Sequence, residues 1–287
     1  MQTQRKKEYK EISELPKKYI REQIARFLKE DIPKKDITTD LFDNKKQKKQ
    51  YVIIAKQKMV LCGAPIINEC FNKECIIEKH KEDGDNIEKG EAIGTISGPF
   101  EFVVAGERVM LNLLQRMSGI ATYTSDIVKN RKNKKIKILD TRKTTPGIRL
   151  FEKYAVYKGG GHNHRQDLSD GILIKENHIH NISSLERAIL KAREVYPNKI
   201  IEVEVDSLKL AERLAKMDID AALIDNMSPK QAGQAIQILK SKNKNIFIEV
   251  SGGINKTNYQ RYMKTGTDAI SMGCLTHSSN NADISLK

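Results

Sequence analysis

Cysteine is scarce and poorly spaced for chemistry. The chain has Cys62, Cys70, Cys75 and Cys274, and no pair shows the Cys-x-x-Cys spacing of a zinc knuckle or a redox dithiol. Reduced thiols in a cytoplasmic protein are therefore expected. Long apolar runs are also missing. Nothing approaches the roughly 20 residues of a membrane span, and the start, MQTQRKKEYKEISEL, lacks the apolar segment of a secretory leader. Aromatic residues make up only 6% and do not interleave with the basic runs Lys45-Lys46, Lys48-Lys49 and Arg131 to Lys135. A groove for single-stranded nucleic acid stacks bases on such aromatics, so these runs read as solvated faces. The net charge of +14, from 51 Lys plus Arg against 37 Asp plus Glu, fits nucleic acid, an acidic membrane surface or small polyanions.

The 287 residues suffice for a substantial core in one large or two modest domains. Leu15, Tyr19, Ile20, Ile24, Phe27 and Leu28 mark an amphipathic helix starting at Pro16 and ending before Asp31-Ile32-Pro33. Tyr51 to Val60 is rich in β-branched residues and reads as one strand, with Cys75 to Glu78 a weaker candidate. Asp83 to Ile87 and Lys89 to Gly94 place turns around short apolar pieces, as in lipoyl and biotinyl carriers. No lysine for modification stands out on an exposed hairpin, so a small α/β domain is expected. Gly106 to about Asn130 reads as a helix with Val109, Leu113, Met117 and Ile120 on one stripe. Arg108, Asn112 and Gln115 share the neighbouring face.

Strand and helix then alternate. Strands are expected at Ile136 to Leu139, Ile172 to Ile174, Ile200 to Val205, Ala221 to Ile224, Ile246 to Val250 and Ala269 to Met272. Helices are expected at Leu185 to Val195, Leu208 to Met217, Pro229 to Leu239 and Lys256 to Met263. Repeated βα units imply parallel strands. These strands end in or near Arg142, Lys175, Glu204, Asp225, Ser251-Gly252-Gly253 and Gly273, so polar or glycine residues gather at the carboxyl edge. In a barrel those edges meet at one mouth. Six units predict an incomplete parallel α/β barrel rather than the eight-stranded form.

One stretch, Asp140 to His178, is densest in groups that hold anions. Arg142 and Lys143 follow a short apolar strand; Pro146-Gly147 breaks the chain, and a helical piece runs to Gly159-Gly160-Gly161. His164 and Arg165 follow, and the next strand delivers Lys175. A guanidinium forks onto a planar carboxylate while an ammonium acts as a compact charge on phosphate, so a pocket with both suits a ligand carrying both groups. Residue type alone establishes a polyanion site.

The runs TRKTTPG, EKYAV, GGG, NHR and IKENH resemble the signature of the quinolinate phosphoribosyltransferases. GERVMLNLLQRMSGIAT, IEVEVDS, LIDNM, SGGI and GCLTHS extend the resemblance, in order, over most of the chain. It implies an N-terminal α/β sandwich domain of residues 1–112, joined by a C-terminal return of residues 275–287, and a barrel domain of residues 113–274. It also implies a pentosyl transfer: quinolinate and 5-phosphoribosyl-1-pyrophosphate become nicotinate mononucleotide, pyrophosphate and carbon dioxide. Arg142 and Arg165 are then expected to bind the carboxylates, with Arg108 reaching in from the partner subunit of a homodimer. Lys143, His164 and Lys175 are the expected cationic contacts of the second substrate. Backbone N–H groups of Ser251-Gly252-Gly253 and of Met272-Gly273-Cys274 offer phosphate contacts where barrels often hold them.

Glu204 and Asp225 are the carboxylates most out of place beside apolar strands, and they suit Mg²⁺, ribose hydroxyls or both. Glu202 competes with Glu204 on strand alternation alone, and the resemblance selects Glu204. His178-Ile179-His180 has the spacing of a metal pair but no third ligand at a telling distance, and is read as shaping the phosphate loop. Val250 stands where the family commonly has a small polar residue. The rival expectations are a related pyrophosphorylase using another base on the same scaffold, and a basic nucleic-acid-binding protein.

Overall fold

The computed structural model describes residues 9–179 and 181–287. The start read as leaderless falls partly on residues 1–8 and the His178–His180 pair on His180, and these lie outside the described residues. The elements begin with α1 (Lys17–Asp31), β1 (Lys48–Ala55), β2 (Met59–Val60), α2 (Ala64–Ile67), β3 (Ile76–Lys79), β4 (Asn86–Ile87), β5 (Ala92–Pro99) and α3 (Phe100–Asn130). They continue with β6 (Lys137–Leu139), α4 (Arg149–Lys158), β7 (Ile172–Ile174), α5 (Ile182–Val195), β8 (Ile201–Val205), α6 (Leu208–Leu214), β9 (Ala221–Asp225) and α7 (Pro229–Lys242). The last are β10 (Phe247–Ser251), β11 (Ala269–Ser271), α8 (Cys274–His277) and β12 (Ile284–Leu286). By their contacts they form two compact units. The first holds residues 9–11, 127–144 and 161–277, and the second residues 12–126, 145–160 and 278–287. The boundary expected after residue 112 falls inside α3, whose residues to Asp126 all belong to the second unit.

The first unit is built on six parallel strands in the order β6-β11-β10-β9-β8-β7. From β7 to β11 each strand pairs with the next in sequence, and β11 turns back onto β6. That is the order of a barrel opened once, between its first and second strands, as the six βα units predict. Register decides what faces where. Alternate residues share a face, so Leu173, Glu202, Ala221 and Phe247 lie at one level, and Glu204, Leu223, Glu249, Ala269 and Lys137 at the next. The opposite face is aliphatic: Ile201, Val203, Val205, Ala222, Ile224, Ile248, Val250 and Ile270 are all 0% exposed. The apolar core of this unit therefore sits on that aliphatic face, and the charged residues line the other.

Local chemistry explains the departures from expectation. The piece expected as a helix from Lys256 to Met263 is a 3₁₀ turn over Tyr259–Lys264. Asn258 Oδ1 accepts from the Asn255 N–H and Asn255 Oδ1 from the Thr257 N–H, at 2.9 Å each. Such side chains compete with helical backbone bonds. In the second unit, the run read as one strand from Tyr51 to Val60 is two, because Lys56, Gln57 and Lys58 turn the chain between β1 and β2. Lys58 there pairs with Glu88 in solvent. The long helix begins at Phe100 rather than Gly106, directly after β5.

The second unit's main sheet has the order β12-β1-β5-β3 and is antiparallel. Its C-terminal strand β12 returns to β1 with Ile53 opposite Leu286. Alongside lies α3, 31 residues long, whose Val103, Met110, Leu114, Met117, Ile120 and Ala121 are fully buried at helical spacing. No helix among the described residues is long and apolar enough to cross a membrane.

Two sequence motifs meet in this unit through one buried charge. Glu152 on α4 is 0% exposed and accepts from Arg116 Nη2 on α3 at 2.7 Å, from Arg116 Nε at 3.0 Å, and from the Thr145 N–H and hydroxyl at 2.9 Å. Removing one partner of a buried pair leaves a desolvated charge behind. Arg116→Leu should therefore lower stability by about 3 kcal/mol or more, read as a fall in the urea midpoint at unchanged slope.

Candidate active site

Lys175 follows β7, and its Nζ lies 2.9 Å from the Glu204 carboxylate on β8. The lysine is exposed, whereas Glu204 is 9% exposed. Asp225 ends β9, the next strand, and is half-buried. Burial pushes its carboxyl above the usual range and the Glu204 charge adds to the rise, while Lys175, Lys143 and the Asn226 amide oppose it. Lys143, Lys175 and Glu204 thus all lie near enough to act on Asp225 at the carboxyl edge of the sheet.

Lys143 comes from the loop after β6. Its stem crosses Gly273, where an added Cβ would lie 3.0 Å from Lys143 Cδ, and its carbonyl accepts the Thr276 hydroxyl at 2.7 Å. Asn226 closes the other side. It is the one non-glycine residue with positive φ, 54°, among the described residues. Its Nδ2 donates to Asp225 at 2.6 Å and its N–H to Ser251 O at 3.1 Å. A residue held in this region marks a site where surroundings over-determine the backbone. Ser251-Gly252-Gly253 follows with φ of 90° and 59° at the two glycines.

Beneath this edge the sheet's polar face holds a second cluster. The His162 segment bridges to Leu139 in parallel, and the fully buried Asp140 accepts from Asn163 Nδ2 at 2.7 Å and from the His164 N–H at 2.8 Å. His164 thereby turns inward, its Nε2 3.4 Å from both Glu202 and Glu249, which are 0% exposed. Burial would favour the neutral ring, but Glu249 and Glu202 outweigh it and raise the pKa to about 9. The Arg165 N–H, directed at Nδ1 at 2.7 Å, opposes that rise, because it needs the Nδ1 lone pair that a second ring proton would occupy; the geometry is that of the neutral ring protonated on Nε2, toward the two carboxylates. Arg165, 6% exposed, donates from Nη1 to Gly171 O at 3.1 Å. His164, Glu202 and Glu249 are the one group of three with metal-holding spacing among the described residues.

Of the expected site residues, Lys143, Lys175, Glu204, Asp225, Ser251, Gly252, Gly253 and Gly273 gather at the edge. His164 and Arg165 lie buried below it, and Arg142 is half-buried beside Lys143. Glu202 and Glu204, rivals by alternation, divide between the two clusters. Met272 is fully buried and its N–H donates to Leu139 O at 2.9 Å, so it serves the sheet and is not a bare phosphate donor. Cys274 is buried at the start of α8, with its thiol 3.5 Å from Ile254 O. Arg108 is exposed on α3, in the second unit. His178 Nδ1 accepts the Lys175 N–H at 3.1 Å, which matches the loop-shaping role. Sequence reasoning missed Asp140, Asn163, Asn226 and Glu249. The glutamates inside the apolar runs IEVEV and FIEVS were the available signal.

A pair of glycine substitutions checks this arrangement. A Cβ on Gly252 would fall 2.3 Å from Asn226 Oδ1 and 2.4 Å from its backbone nitrogen, whereas one on Gly253 meets nothing within 4 Å. Gly252→Ala should remove on the order of a hundredfold or more of turnover, whereas Gly253→Ala, strained only by its φ of 59°, should cost about 1 to 2 kcal/mol of stability and lose far less turnover than Gly252→Ala. Steady-state rates and thermal midpoints of both variants test this.

Comparison with known proteins follows the same lines. Residues 36–118 match the model of the quinolinate phosphoribosyl transferase N-terminal domain, and residues 120–287 match that of the C-terminal domain. A Bacillus subtilis protein described as a probable nicotinate-nucleotide pyrophosphorylase (carboxylating) is 40% identical over 273 residues, covering 93% of this chain and 92% of its own. The nicotinate-nucleotide pyrophosphorylase (carboxylating) of Rattus norvegicus is 36% identical, over 83% of this chain and 81% of its own. The solved nicotinate-nucleotide pyrophosphorylase of Francisella tularensis superposes with a TM-score of 0.89 at 34% identity, over 97% of this chain and 99% of that one. The chain belongs to the quinolinate phosphoribosyltransferase family, the carboxylating nicotinate-nucleotide pyrophosphorylases of NAD biosynthesis.

Proposed function

We propose that the cluster at the sheet's carboxyl edge binds quinolinate and 5-phosphoribosyl-1-pyrophosphate with these residues in the following roles. What carries the reading is the meeting of Lys143 and Lys175 with Glu204 and Asp225 beside a two-glycine turn. Cations for phosphates and carboxylates for a developing positive centre stand together there. Lys143 and Lys175 face the phosphates, with backbone N–H groups of Ser251-Gly252-Gly253, Gly273 and Cys274. Arg142 and Arg165 fork onto the two ring carboxylates, and Arg108 completes the set from the partner subunit of a homodimer. His164, expected as a cationic contact of the second substrate, is instead 6% exposed between Glu202 and Glu249, and in this reading it acts from below, with the Arg165 N–H directed at its Nδ1 at 2.7 Å.

Glu204 and Asp225 fit Mg²⁺, since both are hard oxygen donors and Glu204 raises the Asp225 pKa, a repulsion that a divalent cation relieves. Bound there, the ion supplies charge neutralisation to the departing pyrophosphate. The same two carboxylates stabilise the positive charge that grows at the ribose C1 carbon. The pyridine nitrogen attacks that carbon as its bond to pyrophosphate breaks. The cationic ring nitrogen stabilises the electron pair left on the adjacent ring carbon when its carboxylate departs as carbon dioxide, and a solvent proton binds that pair, leaving the pyridinium of the product. No nucleophilic Cys or Ser is needed. The four cysteines are free thiols, three of them buried, in keeping with a cytoplasmic enzyme.

Two experiments test this reading. Purified protein with quinolinate, 5-phosphoribosyl-1-pyrophosphate and Mg²⁺ should form nicotinate mononucleotide and carbon dioxide, while nicotinate in place of quinolinate should give none; product from nicotinate alone would overturn the carboxylate roles of the arginines. Arg108→Ala and Lys175→Ala chains, each inactive alone, should on subunit exchange regain roughly a quarter of parent activity, half of the dimers being mixed with one of two sites intact. Exchange without recovery would exclude Arg108 acting in trans.

A further inference from the structure

The open seam of the barrel lies between β6 and β7, where no strand pairs with strand. Arg165, one of the residues expected to grip the ring carboxylates, lies on the chain that crosses that seam. The His162 segment takes one place beside β6, with Asp140 N–H donating to His162 O at 3.0 Å and His162 N–H to Ile138 O at 2.8 Å. Beyond it five residues, 166–170, separate Arg165 from Gly171, the residue before β7.

Residues 9–11 fill this space and belong to the barrel unit, although Ile12 and its successors belong to the other. The Tyr9 ring stacks on the His164 imidazole, with centroids 4.8 Å apart and planes inclined by 27°. Its far edge reaches Gly171, where an added Cβ would lie 2.9 Å from Tyr9 Cε1. Its hydroxyl is 3.5 Å from the Glu202 carboxylate. Burial and the Glu202 and Glu249 charges push the phenol's pKa up, so Tyr9 stays neutral. Two residues on, Glu11 accepts the Asn163 N–H at 3.0 Å and lies 2.9 Å from His162 Nδ1. A cavity of about 250 Å³ borders the arm, lined by Tyr9, Glu11, Lys137, Leu139, Asn163 and Phe247 among others.

We propose that Tyr9 and Glu11 are positioning residues: the N-terminal arm wedges the seam and holds the Asn163-His164-Arg165 loop, and so the Arg165 guanidinium, in place for the dicarboxylate substrate. The link to that substrate rests on the role of Arg165 given above; the wedge itself does not. Tyr9 touches His164 and Gly171 and Glu11 touches the loop backbone, so both act through Arg165. Contacts to the phosphates, built from Lys143, Lys175 and the Gly252 turn, are independent of the arm.

The test separates the two substrates. In Tyr9→Ala and Glu11→Gln the KM for quinolinate should rise about tenfold, equivalent to about 1.4 kcal/mol, while the KM for 5-phosphoribosyl-1-pyrophosphate stays within about twofold. Tyr9→Phe, which keeps the stacked ring, should behave as the parent. Equal change in both KM values, or a fall in thermal midpoint with both unchanged, would overturn the proposal. Amide hydrogen exchange in the unliganded protein gives a readout that needs no substrate. The Asn163 and Arg165 amides should exchange at least about tenfold faster in Tyr9→Ala. If their protection is unchanged, the wedge is wrong; if they loosen and the KM for quinolinate does not move, the role of Arg165 is wrong instead.

Discussion

Charge on the inner face of a parallel sheet is the constraint from which the rest of this structure follows. Glu202 and Glu249 sit at 0% exposure in mid-strand, and His164 stands between them at 3.4 Å from each. Buried carboxylates are tolerated only when partnered. The partner here must come from a loop, so the chain after Gly161 has to run beside β6, with Asp140 fixing the backbone of Asn163 and His164. The aliphatic half of each strand is then committed to the opposite face. A sheet with this division cannot slip register by one residue without burying its glutamates among Ile, Val and Ala.

The same division prepares the catalytic edge. Glu204 is two residues beyond Glu202 and Ser251 two beyond Glu249, so the alternation that buries one carboxylate brings the next polar group to the mouth. Asn226 then ties two neighbouring strand ends together, accepting an unfavourable backbone conformation to do so. Its amide reaches Asp225 and its N–H reaches Ser251, and the space it fills is why Gly252 has no side chain. The site is thus a continuation of the barrel's own order, with the loop cations Lys143 and Lys175 added to it.

Much of this was legible in the sequence because it follows from periodicity. Six short apolar runs ending in polar residues are enough to expect parallel strands around one mouth, and the sheet has those six strands. The missed parts were non-local or decided by side-chain competition. Nothing within Tyr9 to Glu11 announces a partner more than 150 positions away. The polar turn at Lys56 to Lys58 was hidden by the apolar residues on either side. At Asn255 to Asn258, side-chain bonds to nearby backbone defeated a helical pattern. Met272 looked like a bare donor because a carboxyl-edge glycine follows it, yet its N–H still belonged to the ladder with Leu139.

The seam between β6 and β7 also sets an order of assembly. Every pairing from β7 to β11 joins neighbours in sequence, but β6 pairs with β11, Lys137 opposite Ala269, a separation of 132 positions (269 − 137). Such non-local parallel pairing is slow to form. On a ribosome adding about 5 to 20 residues per second, β6 waits roughly 7 to 26 seconds for its partner to be made. During that interval its edge is an open template for other chains. The His162 segment, only some twenty residues behind, is synthesised early enough to cover one side of it.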